Sequence, residues 1–256
     1  MTEAPQDQPT AAVLLIGDEI LSGRTKDSNL GYIADVLTAL GIDLKEARVV
    51  PDVEAEIVAA LDALRARFTY VFTTGGIGPT HDDITADAVA RAFGVAIDHH
   101  PEAVKILLEH FAAIGREANE ARLRMARIPE GGELIANAVS KAPGFRIGNV
   151  FVMAGVPKIM QAMLAEIAPR LVHGVPIKSR SVAIAIGEGD LAKPLADIQK
   201  RFPDVVIGSY PFEAGGRFGA NIVLRSRNEA GLAAATAEVE AMAARLKSDG
   251  EAVAWT

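Results

Sequence analysis

The run Tyr70-Val71-Phe72-Thr73-Thr74 passes directly into Gly75-Gly76-Ile77-Gly78-Pro79-Thr80-His81-Asp82-Asp83-Ile84-Thr85, and this junction constrains the fold more than any other stretch. The apolar run reads as a buried strand, and Ala86 to Phe93 as the helix that follows it. Glycines let a backbone approach a ligand closely and adopt conformations closed to other residues. A helix start offers unpaired N–H groups and the positive end of a dipole, both suited to an anion. Asp82 and Asp83 stand beside that start. Paired carboxylates there suit a divalent metal, which bridges carboxylate and phosphate.

The same alternation precedes it. Ala11 to Ile16 reads as a first strand ending at Gly17, and Asp18 to Asn29 as a polar loop. Leu30, Ile33, Ala34, Leu37 and Leu40 recur at helical spacing up to Gly41. Ile42 to Val50 reads as a second strand closed by Pro51-Asp52, and Ile57, Leu61, Leu64 and Phe68 stripe the next helix. A βαβαβα order implies an α/β fold, a parallel sheet covered by helices on both faces.

Further on, the sequence predicts a helix from Pro101 to Ile114 and a charged one from Glu117 to Arg127. Short strands are expected at Glu133 to Ile135, Phe145 to Ile147 and Asn149 to Met153, then a helix from Gly155-Val156-Pro157 to Leu171. His173-Gly174-Val175-Pro176 reads as a boundary. The organisation is then a flexible tail 1–10, a domain 11–173 and a small α+β domain 174–256. In the last, strands at Ser179 to Ile186, Val205 to Tyr210, Ala220 to Arg227 and Ala252 to Trp255 alternate with helices at Leu191 to Phe202 and Glu229 to Lys247. The turn Glu213-Ala214-Gly215-Gly216 joins the middle pair. This βαββαβ order fits a ferredoxin-like domain.

Composition narrows the function classes. A net charge of −7 argues against general nucleic-acid binding, which needs a basic surface. With no cysteine, disulfides, thiolate metal sites and thiol nucleophiles are excluded, and a cytoplasmic location is the simplest expectation. No apolar run reaches the ~20 residues of a membrane span, and the polar, acidic start does not read as a signal peptide.

In an open parallel sheet, ligands collect at the carboxyl ends of the strands. Asp18, Glu19, Ser22, Thr25, Asp27, Asn29, Asp52, Thr74, Asp82 and Asp83 all lie on loops leaving those ends and are expected to converge on one crevice. Each has a plainer reading: Asp27 or Ser28 as a helix cap, Asp52 as a turn residue, the Thr73 to Asp83 loop as a capped β–α turn. His81 reads as a loop residue, His99-His100 as solvated near a turn. Arg116, Arg122, Arg124 and Arg127 read as a solvated helical face paired with Glu117 and Glu120. The P-loop and dinucleotide fingerprints are absent, as is the G-x-S-x-G elbow.

Four passages resemble the molybdopterin-binding (MoaB/MogA-like) fold family, most nearly the N-terminal domains of the CinA type. They are Gly17-Asp18-Glu19-Ile20-Leu21-Ser22-Gly23-Arg24-Thr25 with Asp27 and Asn29, Thr73 to Thr85, Ala142-Pro143-Gly144-Phe145, and Gly155-Val156-Pro157. Ala154 departs from the proline usual before that last glycine. The resemblance implies a three-layer molybdopterin-binding fold with a mostly parallel sheet, plus the small ferredoxin-like domain. It also implies a homo-oligomer, a dimer or trimer. Related transferases adenylylate molybdopterin with magnesium, and the residue aligned with their aspartate is Asp83; Asp52 aligns with a pterin-site aspartate. CinA-type domains imply metal-dependent hydrolysis of ADP-ribose and related pyrophosphates, using magnesium, manganese or cobalt. No counterpart of the CinA amidohydrolase domain is recognised, so deamidation is not expected.

These implications place catalysis on Asp83 and Asp82, with Asp18 and Glu19 as further metal ligands. Gly75, Gly76, Gly78, Thr74, Thr80, Ser22, Asp52, Asp27 and Asn29 would hold a small phosphorylated ligand, nucleotide or pterin. The alternatives are a pterin-binding transferase or carrier, and a non-catalytic interaction module.

Overall fold

Strand-forming runs and amphipathic stripes alternate as the sequence dictates, and the computed structural model describes residues 8–214 and 217–253. The chain divides between Gly174 and Val175 into two units. The first holds β1 (Thr10–Ile16), α1 (Asp18–Leu21), α2 (Asn29–Ala39), β2 (Asp43–Val50), α3 (Glu54–Arg65), β3 (Tyr70–Thr74) and α4 (Thr85–Phe93). It continues through β4 (Ile97–His99), α5 (Pro101–Ala113), α6 (Glu120–Leu123), β5 (Arg127–Pro129), β6 (Glu133–Ile135), β7 (Gly144–Ile147), β8 (Val150–Met153) and α7 (Pro157–Ile167).

Six strands form one sheet in the order β2-β1-β3-β8-β7-β6. The first four are mutually parallel; β7 runs antiparallel to β8 and β6 antiparallel to β7. Strand β1 is central and its core residues are buried on both faces, which is why it reads as an unbroken apolar run. Val13 and Leu15 pack with Phe72, with Ile33 and Leu37 of α2, and with Met160, Met163 and Leu164 of α7. Ala12, Leu14 and Ile16 face the opposite way, toward Ile57, Leu61 and Leu64 of α3 and Ala88 and Val89 of α4. Two cores on one sheet make the expected three-layer α/β unit.

Several sequence expectations need correction. The Asp18 to Asn29 loop contains the helical turn α1. The helix expected over Glu117 to Arg127 is only α6 and a 3-10 turn, Arg124–Ala126, before the chain enters β5. Strand β5 pairs antiparallel with β4 as a separate two-stranded sheet, His99 opposite Arg127. Pairing across such a separation leaves no local mark on either segment, so Arg127 looked helical. His99 accordingly lies on a strand, and His100, although expected to be solvated, buries Nδ1 without a partner. Of the tail 1–10, residues 1–7 lie outside the described residues. Gln8 to Thr10 are part of the fold: Pro9 is buried, Gln8 Nε2 donates to the Gly41 carbonyl, and Thr10 opens β1.

The second unit comprises β9 (Lys178–Ile184), α8 (Glu188–Arg201), β10 (Val206–Ala214), β11 (Arg217–Ser226) and α9 (Glu229–Val253). Its antiparallel sheet has the order β10-β11-β9. Ile184, Ile222 and Leu224 of the sheet pack with Leu191, Leu195 and Ile198 of α8 and Leu232, Val239 and Met242 of α9. The turn residues Gly215 and Gly216 lie outside the described residues. The strand expected over Ala252 to Trp255 is not formed at Ala252 and Val253, which continue α9; Ala254 to Thr256 lie outside the described residues. The ferredoxin-like order is thus βαββα among the described residues. Alanine-rich sequence extends a helix easily, and here α9 runs past the stop expected at Lys247. No helix among the described residues is long and apolar enough to cross a membrane.

Candidate functional site

Because β1, β2, β3 and β8 are parallel, the loops after Ile16, Val50, Thr74 and Met153 emerge at one edge of the sheet. The loop after β3 is shaped by backbone contacts. Gly75 has φ 105° and Gly76 φ 65°, which other residues adopt only under strain. A β-carbon on Gly75 would collide with the Ile16 carbonyl, and one on Gly76 with the Thr85 hydroxyl. Thr85 closes the loop, its Oγ1 donating 3.0 Å to Gly75 O and its N–H 3.0 Å to Gly76 O. The N–H groups of Gly76, Ile77 and Gly78 then have no intramolecular acceptor among the described residues.

Asp83 turns back on this loop. Its Oδ2 accepts 2.8 Å from Thr80 N–H and 2.5 Å from Thr80 Oγ1, while Oδ1 accepts nothing among the described residues. Asp82 is exposed. Its carboxyl sits below its ordinary value, first through the Thr80 hydroxyl and then through its own N–H.

Across the edge, Asp52 Oδ2 accepts 3.0 Å from Asp18 N–H. Burial raises the Asp52 carboxyl above its ordinary value; the Asp18 N–H opposes this, and Glu19, Asp18 and Asp82 add their repulsion to the rise. Asp18, Glu19, Asp52 and Asp82 thus form an electronegative rim. Among the described residues, no group of three or more histidine, aspartate or glutamate side chains is assembled to hold a metal ion.

The single crevice expected from the sequence is divided. Glu19, Asp27, Asn29, Thr74 and Gly75 line a small cleft with Thr25, Lys26, Gly155 and Pro157. Gly76, Gly78 and Asp83 line a second hollow with Asp87, Arg124 and Arg127. Ser22 lines neither; it is exposed at the end of α1, its hydroxyl 3.4 Å from Glu19 O. Thr80 is exposed and occupied with Asp83. Asp27 caps α2, accepting from Asn29 N–H at 3.2 Å and Leu30 N–H at 3.0 Å, which is its plainer reading.

The arginines also need correction. Arg127 grips Asp87 with two bonds of 2.9 and 2.6 Å. Arg124 lies 3.6 Å from the same carboxylate and donates 3.2 Å to the Asp83 carbonyl. They serve the Gly76 to Asp83 loop and α4, not Glu117 and Glu120, because the pairing of β5 with β4 carries them across. Lys26, which the sequence reading does not single out, lines the cleft and has no ion pair among the described residues. Its signal was its place inside the Gly17 to Asn29 passage.

Comparison with known proteins agrees with this geometry. Residues 12–173 match the family described as probable molybdopterin binding domain, and residues 176–248 the middle domain of FAD synthase. Protein TK1472 of Thermococcus kodakarensis is 37% identical over 232 residues, covering 86% of this chain and 92% of its own. A CinA-like protein of Citrifermentans bemidjiense is 44% identical over 159 residues, 60% of this chain but only 38% of that protein. Among solved structures, the protein CinA from Thermoplasma acidophilum, described as of unknown function, aligns with a TM-score of 0.59. It is 32% identical, and the alignment covers 64% of this chain and 99% of that one. The chain belongs to the molybdopterin-binding domain family and is CinA-like within it.

Proposed function

We propose that this chain is a divalent-metal-dependent nucleotide pyrophosphatase acting on ADP-ribose-like substrates. The observation that carries the reading is the run of unpartnered N–H groups at Gly76, Ile77 and Gly78 beside the rim of Asp18, Glu19, Asp52 and Asp82. Backbone donors receive phosphate oxygens. The rim repels a bare polyphosphate and so calls for a cation between the two. The donor set fits magnesium, which keeps several waters and takes one or two carboxylates together with substrate phosphates. Asp82, which stays ionised, and Asp83 through its free Oδ1 would hold it. Bound there, the cation supplies charge neutralisation and an acidified water.

The chain's own groups supply the rest. Asp52, with its proton affinity raised, is the carboxylate suited to take a proton from attacking water. Thr80 and Arg124 hold Asp83 at both its side chain and its carbonyl. The test is incubation of the purified chain with ADP-ribose and magnesium, manganese or cobalt, with chromatography for AMP and ribose 5-phosphate. Release of both supports the reading. No turnover of a dinucleotide panel with any of the three metals overturns it.

The description of the matching family favours a second reading, a molybdopterin-binding transferase or carrier using the same loop. Calorimetry with molybdopterin decides it: no binding at micromolar concentration removes this alternative.

A further inference from the structure

Asn29, the first residue of α2, is only 5% exposed and lines the cleft on the Gly75 side of the loop. Its Nδ2 donates 2.7 Å to the Gly155 carbonyl. Only the NH2 end of the amide makes that bond, so the side chain's orientation is set and Oδ1 is the remaining atom. That oxygen is buried and accepts no hydrogen bond. Unpartnered buried acceptors are uncommon in folded proteins because their desolvation goes uncompensated.

Among the cleft's other polar residues, Lys26 is cationic, Glu19 and Asp27 carry carboxylates, and Thr25, Ser28 and Thr74 carry hydroxyls. A phosphate answers Lys26 but not Asn29 Oδ1, which needs a donor. We infer that this cleft is the subsite for the neutral, donor-bearing part of a phosphorylated ligand, with a ribosyl hydroxyl donating to Asn29 Oδ1. The inference rests on the proposed reading of the neighbouring Gly76 to Gly78 donors as a phosphate site. It assigns the phosphates and the sugar to opposite sides of Gly75. A donor reaches the buried oxygen by displacing part of the cleft wall. The exposed members of that wall include Thr25, Lys26 and Ser28.

A ring N–H of a pterin is the other source of the same donor chemistry, and ligand-paired calorimetry separates them. AMP, 2′-deoxy-AMP, 3′-deoxy-AMP and unsubstituted pterin are titrated, with magnesium present, into the wild type and Asn29→Ala. The expected result is about tenfold weaker wild-type binding of one deoxy analogue. Asn29→Ala should bind that analogue and AMP alike. The wild-type series alone tests the inference should a variant fold poorly. Coupling of Asn29 to pterin instead assigns the donor to a ring. Equal wild-type binding of all three nucleotides with no pterin coupling, or binding of none, overturns the subsite. Turnover of ADP-ribose without hydroxyl discrimination removes the subsite and leaves the hydrolase; discrimination without turnover does the reverse.

Discussion

Thr80 gives both its backbone N–H and its hydroxyl to one oxygen of Asp83, at 2.8 and 2.5 Å. The acid that family resemblance makes catalytic is thereby also a brace for its own loop. The two roles separate by substitution. Thr80→Val keeps the N–H bond and loses the hydroxyl, which is worth about 1 kcal/mol. Urea unfolding should show a loss of that order, with pyrophosphate hydrolysis reduced at unchanged metal affinity. Unchanged stability would remove the bracing role.

Gly75→Ala should destabilise the first unit by at least about 1–3 kcal/mol from backbone strain alone, and by more from the collision with the Ile16 carbonyl. Gly23→Ala is the control. Its φ is also positive, at 70°, but nothing lies within 4 Å of the new methyl. Thermal melts of the two variants should rank Gly75→Ala well below Gly23→Ala. Equal melts would refute close approach as the reason for glycine at 75.

Arg127 and Asp87 are each about a quarter exposed and doubly bonded. Removing the guanidinium leaves Asp87 with Arg124 alone, at 3.6 Å. Arg127→Ala is expected to lose about 1–3 kcal/mol in urea denaturation. Arg127→Lys should regain less than half, since an ammonium cannot supply the paired geometry. Full rescue by lysine would mean that charge alone matters.

Asp52 gives a pH signature of defined sign. Burial, with the surrounding carboxylates, makes the folded carboxyl hold its proton more readily than the unfolded one. Its stabilising contribution is therefore present below the unfolded value and is lost as pH rises through the raised folded value. Asp52→Asn, which still accepts from Asp18 N–H, should melt about 1–3 °C above wild type near pH 7. The difference should vanish below about pH 4, and magnesium should narrow it at pH 7. A difference that ignores pH would sink the argument.

The parallel sheet, its two helical layers and the glycine loop were legible because each rests on local signals. Strand β1 alternates sides within one apolar run, and Gly75 follows directly on the end of β3. The β4–β5 pairing was not legible, because Ile97 meets Pro129 only in three dimensions. With it went the partner of Arg127 and the role of Arg124. The divided crevice was hidden for another reason: Gly75 and Gly76 are neighbours in sequence but line different hollows. Overextension of α9 shows the converse, helix propensity outrunning a weak strand signal at Ala252 and Val253.

Gly155 approaches Gly75 so closely that a β-carbon on Gly155 would lie 3.3 Å from the Gly75 α-carbon. Two loops from different strands therefore meet main chain to main chain, with no side chain between them to act as a cushion. Neither position has a vocabulary of substitutions open to it independently of the other. That meeting point is written in peptide groups, which are the same whatever the residue, so chemical variety there falls to the surrounding side chains. Diversification of such a scaffold would proceed at side chains such as Glu19, Lys26, Asn29, Asp52 and Asp82 while the glycine contact stays silent.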